Sequence, residues 1–228
     1  MISLKELTRF RTFLVDDISD YKRKATVVLD KIFPEYTQIF SDTFGKTSKE
    51  ILTKYPLPKD ILNEDLESLA KVLSTSSKGR LGYSKAEQLQ NLAKESFCIK
   101  YATEALVMEI KSILSTIEHL QNQVSKLDEK IAVLLRSLGT TIETIPGIGP
   151  VLGAIIVSEI GDINRFSHAS KLVAYAGIDP TVKQSGEFNA TKNRMSKRGT
   201  PYLRRALWTA SIVAAFNDPN FRGIKFTR

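Results

Sequence analysis

Residues 99–138, IKYATEALVMEIKSILSTIEHLQNQVSKLDEKIAVLLRSL, decide the fold class. Ile99, Ala102, Leu106, Ile110, Ile113, Ile117, Leu120, Val124, Leu127, Ile131, Leu134 and Leu138 follow one another at steps of three and four that alternate almost without error. That spacing keeps every apolar side chain on one face of an α-helix, and no Gly or Pro interrupts it before Gly139. At 1.5 Å per residue such a helix is about 60 Å long. Its stripe is narrow, so a coiled-coil seam is preferred over an ordinary bundle helix, and the seam requires a partner. The partner is either a second copy, giving a homodimer or higher oligomer, or an antiparallel return helix from residues 3–33.

That front segment has its own stripe, Leu4, Leu7, Phe10, Leu14, Ile18, Tyr21, Ala25, Val28 and Ile32, with Pro34 closing it. Ser3 and Glu6 have the spacing of a capping box at its start. Between the long patterns, Tyr36–Phe44, Glu50–Tyr55, Asp60–Leu62, Leu66–Leu73 and Ser84–Ala93 read as short helices separated by Gly45, the Pro56 and Pro58 pair, the polar run Ser74–Gly79, and Gly82. Beyond Gly139, the patterns Val151–Glu159, His168–Ala176 and Pro201–Phe216 alternate with polar loops. The expected fold is all-α. Residues 1–34 form an amphipathic helix, 35–97 a small helical insertion, 98–139 a coiled-coil helix, and 140–228 a compact C-terminal domain with a helix-hairpin-helix element.

Composition narrows the functions. The chain has 228 residues, 42% hydrophobic and 25% charged, which excludes a disordered or collagen-like protein. Its 33 Lys and Arg exceed its 25 Asp and Glu, for a net charge of +8. From Lys183 onward there are ten basic residues against Glu187 and Asp218, so the first 182 residues are balanced and the surplus lies in the last fifth. A single cysteine, Cys98, with His119 and His168 remote in sequence, offers no disulfide and no metal-ligand set. No apolar run approaches the ~20 residues of a membrane span, and the N-terminus lacks a signal-peptide core. A cytoplasmic protein without membrane contact is expected.

Three features bear on chemistry. Ile145-Pro146-Gly147-Ile148-Gly149-Pro150 ahead of an apolar helix has the pattern of a helix-hairpin-helix turn, in which free backbone N–H groups near Gly147 and Gly149 hold a phosphate; a plain glycine-punctuated corner is the alternative. Ser185-Gly186 lies in the polar loop 181–192, followed by Lys192, Arg194, Lys197, Arg198, Arg204 and Arg205. A serine attacking a phosphodiester needs such cations around the transition state, whereas the same cations could simply grip a nucleic-acid backbone. Asp16, Asp17 and Asp20, and likewise Glu64, Asp65 and Glu67, are read as solvated helix faces and not as metal sites.

The blocks Thr144–Gly149, Ala174-Tyr175-Ala176-Gly177-Ile178-Asp179-Pro180, Ser185-Gly186, Lys197-Arg198-Gly199 and Tyr202–Leu207 together resemble the C-terminal transposase domain of the IS110 insertion-sequence family, the DEDD-type, bridge-RNA-guided transposases. The resemblance is strong over residues 140–216 and weaker in front, where Leu4–Arg9 and residues 99–138 resemble the family's linker helix and coiled coil. It implies DNA as substrate, a guide RNA as partner, and Ser185 as the nucleophile of strand exchange. It also implies that Mg²⁺ is bound by four acids of an N-terminal RuvC-like domain. None of those acids has a counterpart here, so the chain itself is expected to bind no cofactor and to be incomplete as an enzyme. A non-catalytic nucleic-acid-binding and dimerisation module is the alternative.

Overall fold

The computed structural model describes residues 1–99, 101, 103–181, 184–185, 188–189 and 194–217, with backbone alone at 184–185 and 188–189. The fold is all-α. Its helices are α1 (Ile2–Ile32), α2 (Lys46–Lys54), α3 (Pro58–Asn63), α4 (Leu66–Ser77), α5 (Tyr83–Glu95), α6 (Thr103–Ser137), α7 (Pro150–Ile160), α8 (Ala169–Ala176) and α9 (Pro201–Asn217). The two-residue strands β1 (Gln184–Ser185) and β2 (Phe188–Asn189) pair antiparallel. No described helix is long and apolar enough to cross a membrane.

Two compact units emerge, residues 14–123 and residues 1–13 with 124–228. The four stretches read from the sequence do not coincide with them, because α1 and α6 are each long enough to serve both units. Within each unit these helices are paired. Arg11 of α1 holds Asp128 of α6 in one, and Lys24 approaches Glu109 at 4.0 Å in the other. In the first of these, Leu4 lies among Ile131 and Leu135 while Arg11 meets Asp128, so the two helices run antiparallel there. Leu4 and Leu7 pack with Leu127, Ile131, Leu134 and Leu135. The part of the α6 seam from Leu127 to Leu134 is therefore met inside the chain by the start of α1.

The buried face of α6 also contains Leu114 and Leu135, which the three-four seam leaves out, while Leu138 is exposed. This third apolar column belongs to a helix packed on several neighbours more than to a two-helix zipper. At the start of α1, Ser3 lies inside the first turn and not at a cap. Pro34 ends α1 as expected, since it cannot donate to the helix ladder, and opens a short 3₁₀ turn, Pro34–Gln38, where the sequence suggested a longer helix.

In residues 14–123 the core is built from side-chain volume: Leu29, Ile32, Phe33, Tyr36, Ile51, Leu52, Ile61, Leu69, Leu73 and Leu89 are all sealed from solvent. The Tyr36 hydroxyl donates to the Ser48 carbonyl at 2.8 Å, so the one buried phenol is satisfied where it meets the start of α2. The two acidic clusters do ordinary structural work. Asp20 pairs with Arg23 on α1, and Asp65 caps α4 by accepting from the Ser68 N–H at 2.9 Å.

Candidate nucleic-acid interface

The C-terminal residues assemble around α7, which is apolar on all sides. One face, through Ile156, packs together with Ile148 of the preceding turn on Leu203, Ala206 and Ala210 of α9 and on Ala176. The other, through Ala154, packs on Leu4, Ile131 and Leu135. Gly153 lets α6 come close, since a Cβ there would lie 2.9 Å from the Ile142 side chain and 3.3 Å from Leu135.

Into this apolar helix the sequence places one acid, Glu159, at 1% exposure. Its carboxylate accepts from Arg9 Nε at 2.7 Å and Arg9 Nη2 at 3.1 Å, and from Thr200 Oγ1 at 2.9 Å, with Lys5 Nζ 3.4 Å away. Burial alone would raise the carboxyl's pKa. The hydrogen bonds from Arg9 and Thr200, with the charges of Arg9 and Lys5, outweigh it and hold the group below the usual carboxylate value. The guanidinium of Arg9 also stacks on Tyr202, 4.8 Å from the ring centroid. Glu159 thus ties α1, α7 and the start of α9 together. It went unrecognised in the sequence, although a single acid inside the apolar run 145–160 is the signature of a buried, paired carboxylate.

The block Ala174–Pro180 is explained residue by residue. Tyr175 donates its hydroxyl to the Glu159 carbonyl at 3.0 Å, and its own carbonyl accepts the Thr200 N–H at 3.2 Å. Gly177 ends α8 in the left-handed region at φ 71°, where residues 197–199 cross the chain with backbone against backbone. A Cβ on Gly177 would fall 2.6 Å from the Gly199 nitrogen, and one on Gly199 only 1.9 Å from the Tyr175 carbonyl oxygen. No side chain fits at either position.

Asp179 and Pro180 then form the base of a loop. Ser196 donates its N–H to the Asp179 carbonyl at 2.8 Å and its hydroxyl to the Asp179 carboxylate. Pro180 bridges Met195, and Thr181 donates its N–H to the Arg194 carbonyl at 2.7 Å. This stem joins residues 179–181 to residues 194–196. Within the loop, Ser185 lies on β1 with its backbone paired to Phe188. Gly186 and Lys192 lie outside the described residues, as do Lys183, Arg222, Lys225 and Arg228.

The remaining cations divide. Arg194, Lys197 and Arg198 are exposed beside the stem, with Lys197 held at φ 55°, and Arg205 is exposed on α9. Arg204 is half-buried and donates Nη1 to the Ala176 carbonyl at 3.1 Å, so part of its guanidinium closes the C-terminus of α8. The two hairpin glycines also divide. Gly147, at φ 87°, faces α9: a Cβ there would meet Val213 at 2.9 Å and the Ala210 carbonyl at 3.2 Å. Gly149 has open space around it and precedes α7 with no side chain capping the helix. Among the described residues no three of His, Cys, Asp and Glu lie close enough to hold a metal.

Sequence comparison places this region. Residues 139–224, which span the hairpin, the stem and the loop with Ser185, match the Transposase IS116/IS110/IS902 family. The relationship extends forward: an insertion element IS116 protein of 44.8 kDa from Streptomyces clavuligerus is 25% identical over 215 residues, 90% of this chain and 51% of its own. The mini-circle putative transposase for IS117 of Streptomyces coelicolor is 24% identical over 202 residues, 85% of this chain and 49% of its own. A pilin gene-inverting protein of Moraxella bovis is 31% identical over 120 residues, 50% of this chain and 37% of its own. The chain thus spans about half the length of the IS116 and IS117 relatives.

Proposed function

We propose that this chain is the DNA-binding and nucleophile-bearing part of a transposase or recombinase of the IS110 type. The observation that carries the reading is the family match over residues 139–224, which contains Ser185 on a loop whose stem is fixed by Asp179 and Ser196. DNA is the substrate, and a guide RNA supplies the sequence specificity that exposed Arg and Lys side chains do not carry. The hairpin at Gly147 and Gly149 acts as a helix-hairpin-helix element; since Gly147 is turned toward α9, its part is to seat the turn, and the N–H groups following Gly149 face the phosphate. Lys192, Arg194, Lys197, Arg198 and Arg205 hold the backbone, with Arg204 contributing what its bond to Ala176 leaves.

In the reaction, the Ser185 oxygen attacks the scissile phosphorus, one P–O bond forms as another breaks, and the leaving deoxyribose oxygen takes up a proton. A serine hydroxyl is a weak nucleophile until a base or metal activates it. The resemblance assigns that activation to Mg²⁺ in an acidic RuvC-like domain acting together with this one. Protomers pair during strand exchange, although the covered part of the α6 seam does not demand it.

The test is covalent capture. With an acidic-domain partner, guide RNA and Mg²⁺ supplied, the chain should form a protein–DNA adduct that maps to Ser185. Ser185→Ala should abolish it and leave DNA affinity nearly unchanged, because one hydroxyl contributes at most an ordinary hydrogen bond. An adduct that persists in the alanine variant, or one mapped to Ser196 or Tyr202, overturns the assignment. Nucleic-acid affinity that does not fall as salt rises from ~50 to ~200 mM overturns the phosphate-contact reading.

A further inference from the structure

Residues 14–123 carry a charged feature that the chemistry at Ser185 leaves unused. A pocket of about 380 Å³ opens between the start of α2 and the end of α4, with Phe40, Asp42, Lys46, Thr47, Lys78 and Arg80 among its lining residues. Lys46, Lys78 and Arg80 reach it from two separate segments, and all three are exposed. Lys85 adds a fourth cation at its edge, with Nζ 5.8 Å from the Phe40 ring centroid. The one acid in the lining, Asp42, has an oxygen already accepting from the Phe44 N–H at 3.0 Å.

None of the three lining cations is paired with a carboxylate among the described residues. Arg80 donates Nε to the Ser77 carbonyl at 3.2 Å, which steadies its guanidinium on the rim. Like charges gathered on a concave surface with so little compensation repel one another, and an anion relieves that repulsion. Thr47 adds a hydroxyl to the lining.

Gly45-Lys46-Thr47 matches the last three positions of a nucleotide-binding P-loop, but Phe40 occupies the position of its first glycine and a 3₁₀ turn, not a strand, leads into it. An enclosing cradle for a nucleotide is therefore lacking. Long cations spread around an open rim suit a strand that passes across the surface. We infer that this pocket seats a backbone phosphate of a single-stranded nucleic acid, as a second anchoring surface. The inference rests on the reading that the chain binds nucleic acid.

The test measures binding of the full chain to a fluorescein-labelled, mixed-sequence single-stranded RNA of about 20 nucleotides by anisotropy across ~50–200 mM salt. For single strands each neutralised phosphate adds about 0.7 to the slope of log K against log salt, so losing the one phosphate seated here in Lys46→Gln/Lys78→Gln/Arg80→Gln should lower the slope by about 0.7. Lys46→Arg/Lys78→Arg/Arg80→Lys should keep it, which separates lost charge from damaged folding. Arg198→Gln/Arg205→Gln should lower the slope separately, in both backgrounds. An unchanged slope in the Gln triple variant, with wild-type binding intact, overturns the pocket alone. Absence of RNA and DNA binding by every form overturns the parent reading with it. Saturable binding of ADP or inorganic phosphate, lost in the Gln triple variant while the RNA slope holds, overturns the strand and makes the ligand a small phosphate compound.

Discussion

Residues 14–123 and the C-terminal residues from Gly139 onward are both helical, yet they are held together by different means. The first region fills its core with Leu, Ile, Phe and one Tyr, so its stability resides in volume excluded from water. The second has few large buried side chains; α7 meets α9 through Ala206 and Ala210, and its fixed points are Glu159, Gly177 and Gly199. Packing by volume relaxes around a change of shape, whereas a backbone crossing and a buried carboxylate have almost no alternative arrangement. The first kind of region is tolerant and suits a spacer. The second fixes Asp179 and Thr181 against Ser196 and Arg194.

The largest expected effect breaks this contrast at the crossing. Gly199→Ala puts a methyl 1.9 Å from the Tyr175 carbonyl oxygen, and relief requires the chain at 197–199 to part from α8. A loss of more than ~4 kcal/mol, enough to unfold the C-terminal region, is expected in urea titrations. Gly149→Ala, with open space around it, is the matched control and should cost under ~1 kcal/mol. If both variants fold equally well, the crossing is not a fixed point. Next in size is Leu73→Ala in the fully buried core of α4, expected to lose about 3 kcal/mol, with Leu73→Met losing under ~1.5 kcal/mol. A methionine as damaging as alanine would show that this core, too, depends on exact shape.

The same contrast governs what could be read from the chain. Volume packing leaves a periodic trace, so the all-α class, α1 and α6 were legible from the three-four spacing, which left a second copy and an antiparallel return helix both open as the partner of α6. The unit boundaries were not, because one continuous helix can serve two cores without any break in its pattern. Leu114 and Leu135 fall outside a strict three-four seam, yet both are buried because the helix has several neighbours. At the candidate site, the blocks around Gly177, Asp179 and Gly199 were visible as motifs, but not their reason. Backbone against backbone, or Ser196 on Asp179, is contact between residues 17 or more apart, and composition carries no record of it.

Glu159 sharpens the comparison through pH. Glu159→Gln leaves Arg9 facing a neutral group in a buried site, and the expected loss near neutral pH is about 2–3 kcal/mol. That lies below the 3–5 kcal/mol of a fully enclosed pair, because Arg9 keeps part of its surface in water. The carboxyl is held below its ordinary value, so its contribution is present above the unfolded-state pKa of ~4.3 and disappears as pH falls through the lower folded-state value. Stability curves of the parent and the Gln variant should therefore run apart at pH 7 and converge below about pH 4. Parallel curves across that range would mean that Glu159 is not held as a carboxylate by Arg9 and Thr200. Leu73→Ala, which removes no charge, should leave the acid limb unchanged.

The smallest effect is also the most local. Ser196→Ala deletes the hydroxyl bond to the Asp179 carboxylate but leaves the Ser196 N–H on the Asp179 carbonyl and the Thr181 N–H on the Arg194 carbonyl. One such bond to a charged acceptor is worth about 1.5 kcal/mol, roughly a tenfold change in an opening equilibrium. The stem lies outside the packed cluster of α7 and α9, so the opening it restrains is local, and the global transition should barely move. Amide exchange of residues 181 and 196 should accelerate about tenfold, while amides of Ala206 and Ala210 in α9 keep their rates. If all four amides accelerate together, the stem is part of the domain's cooperative core. If none does, the backbone bonds alone hold the loop, and the Asp179–Ser196 contact has no part in positioning Ser185.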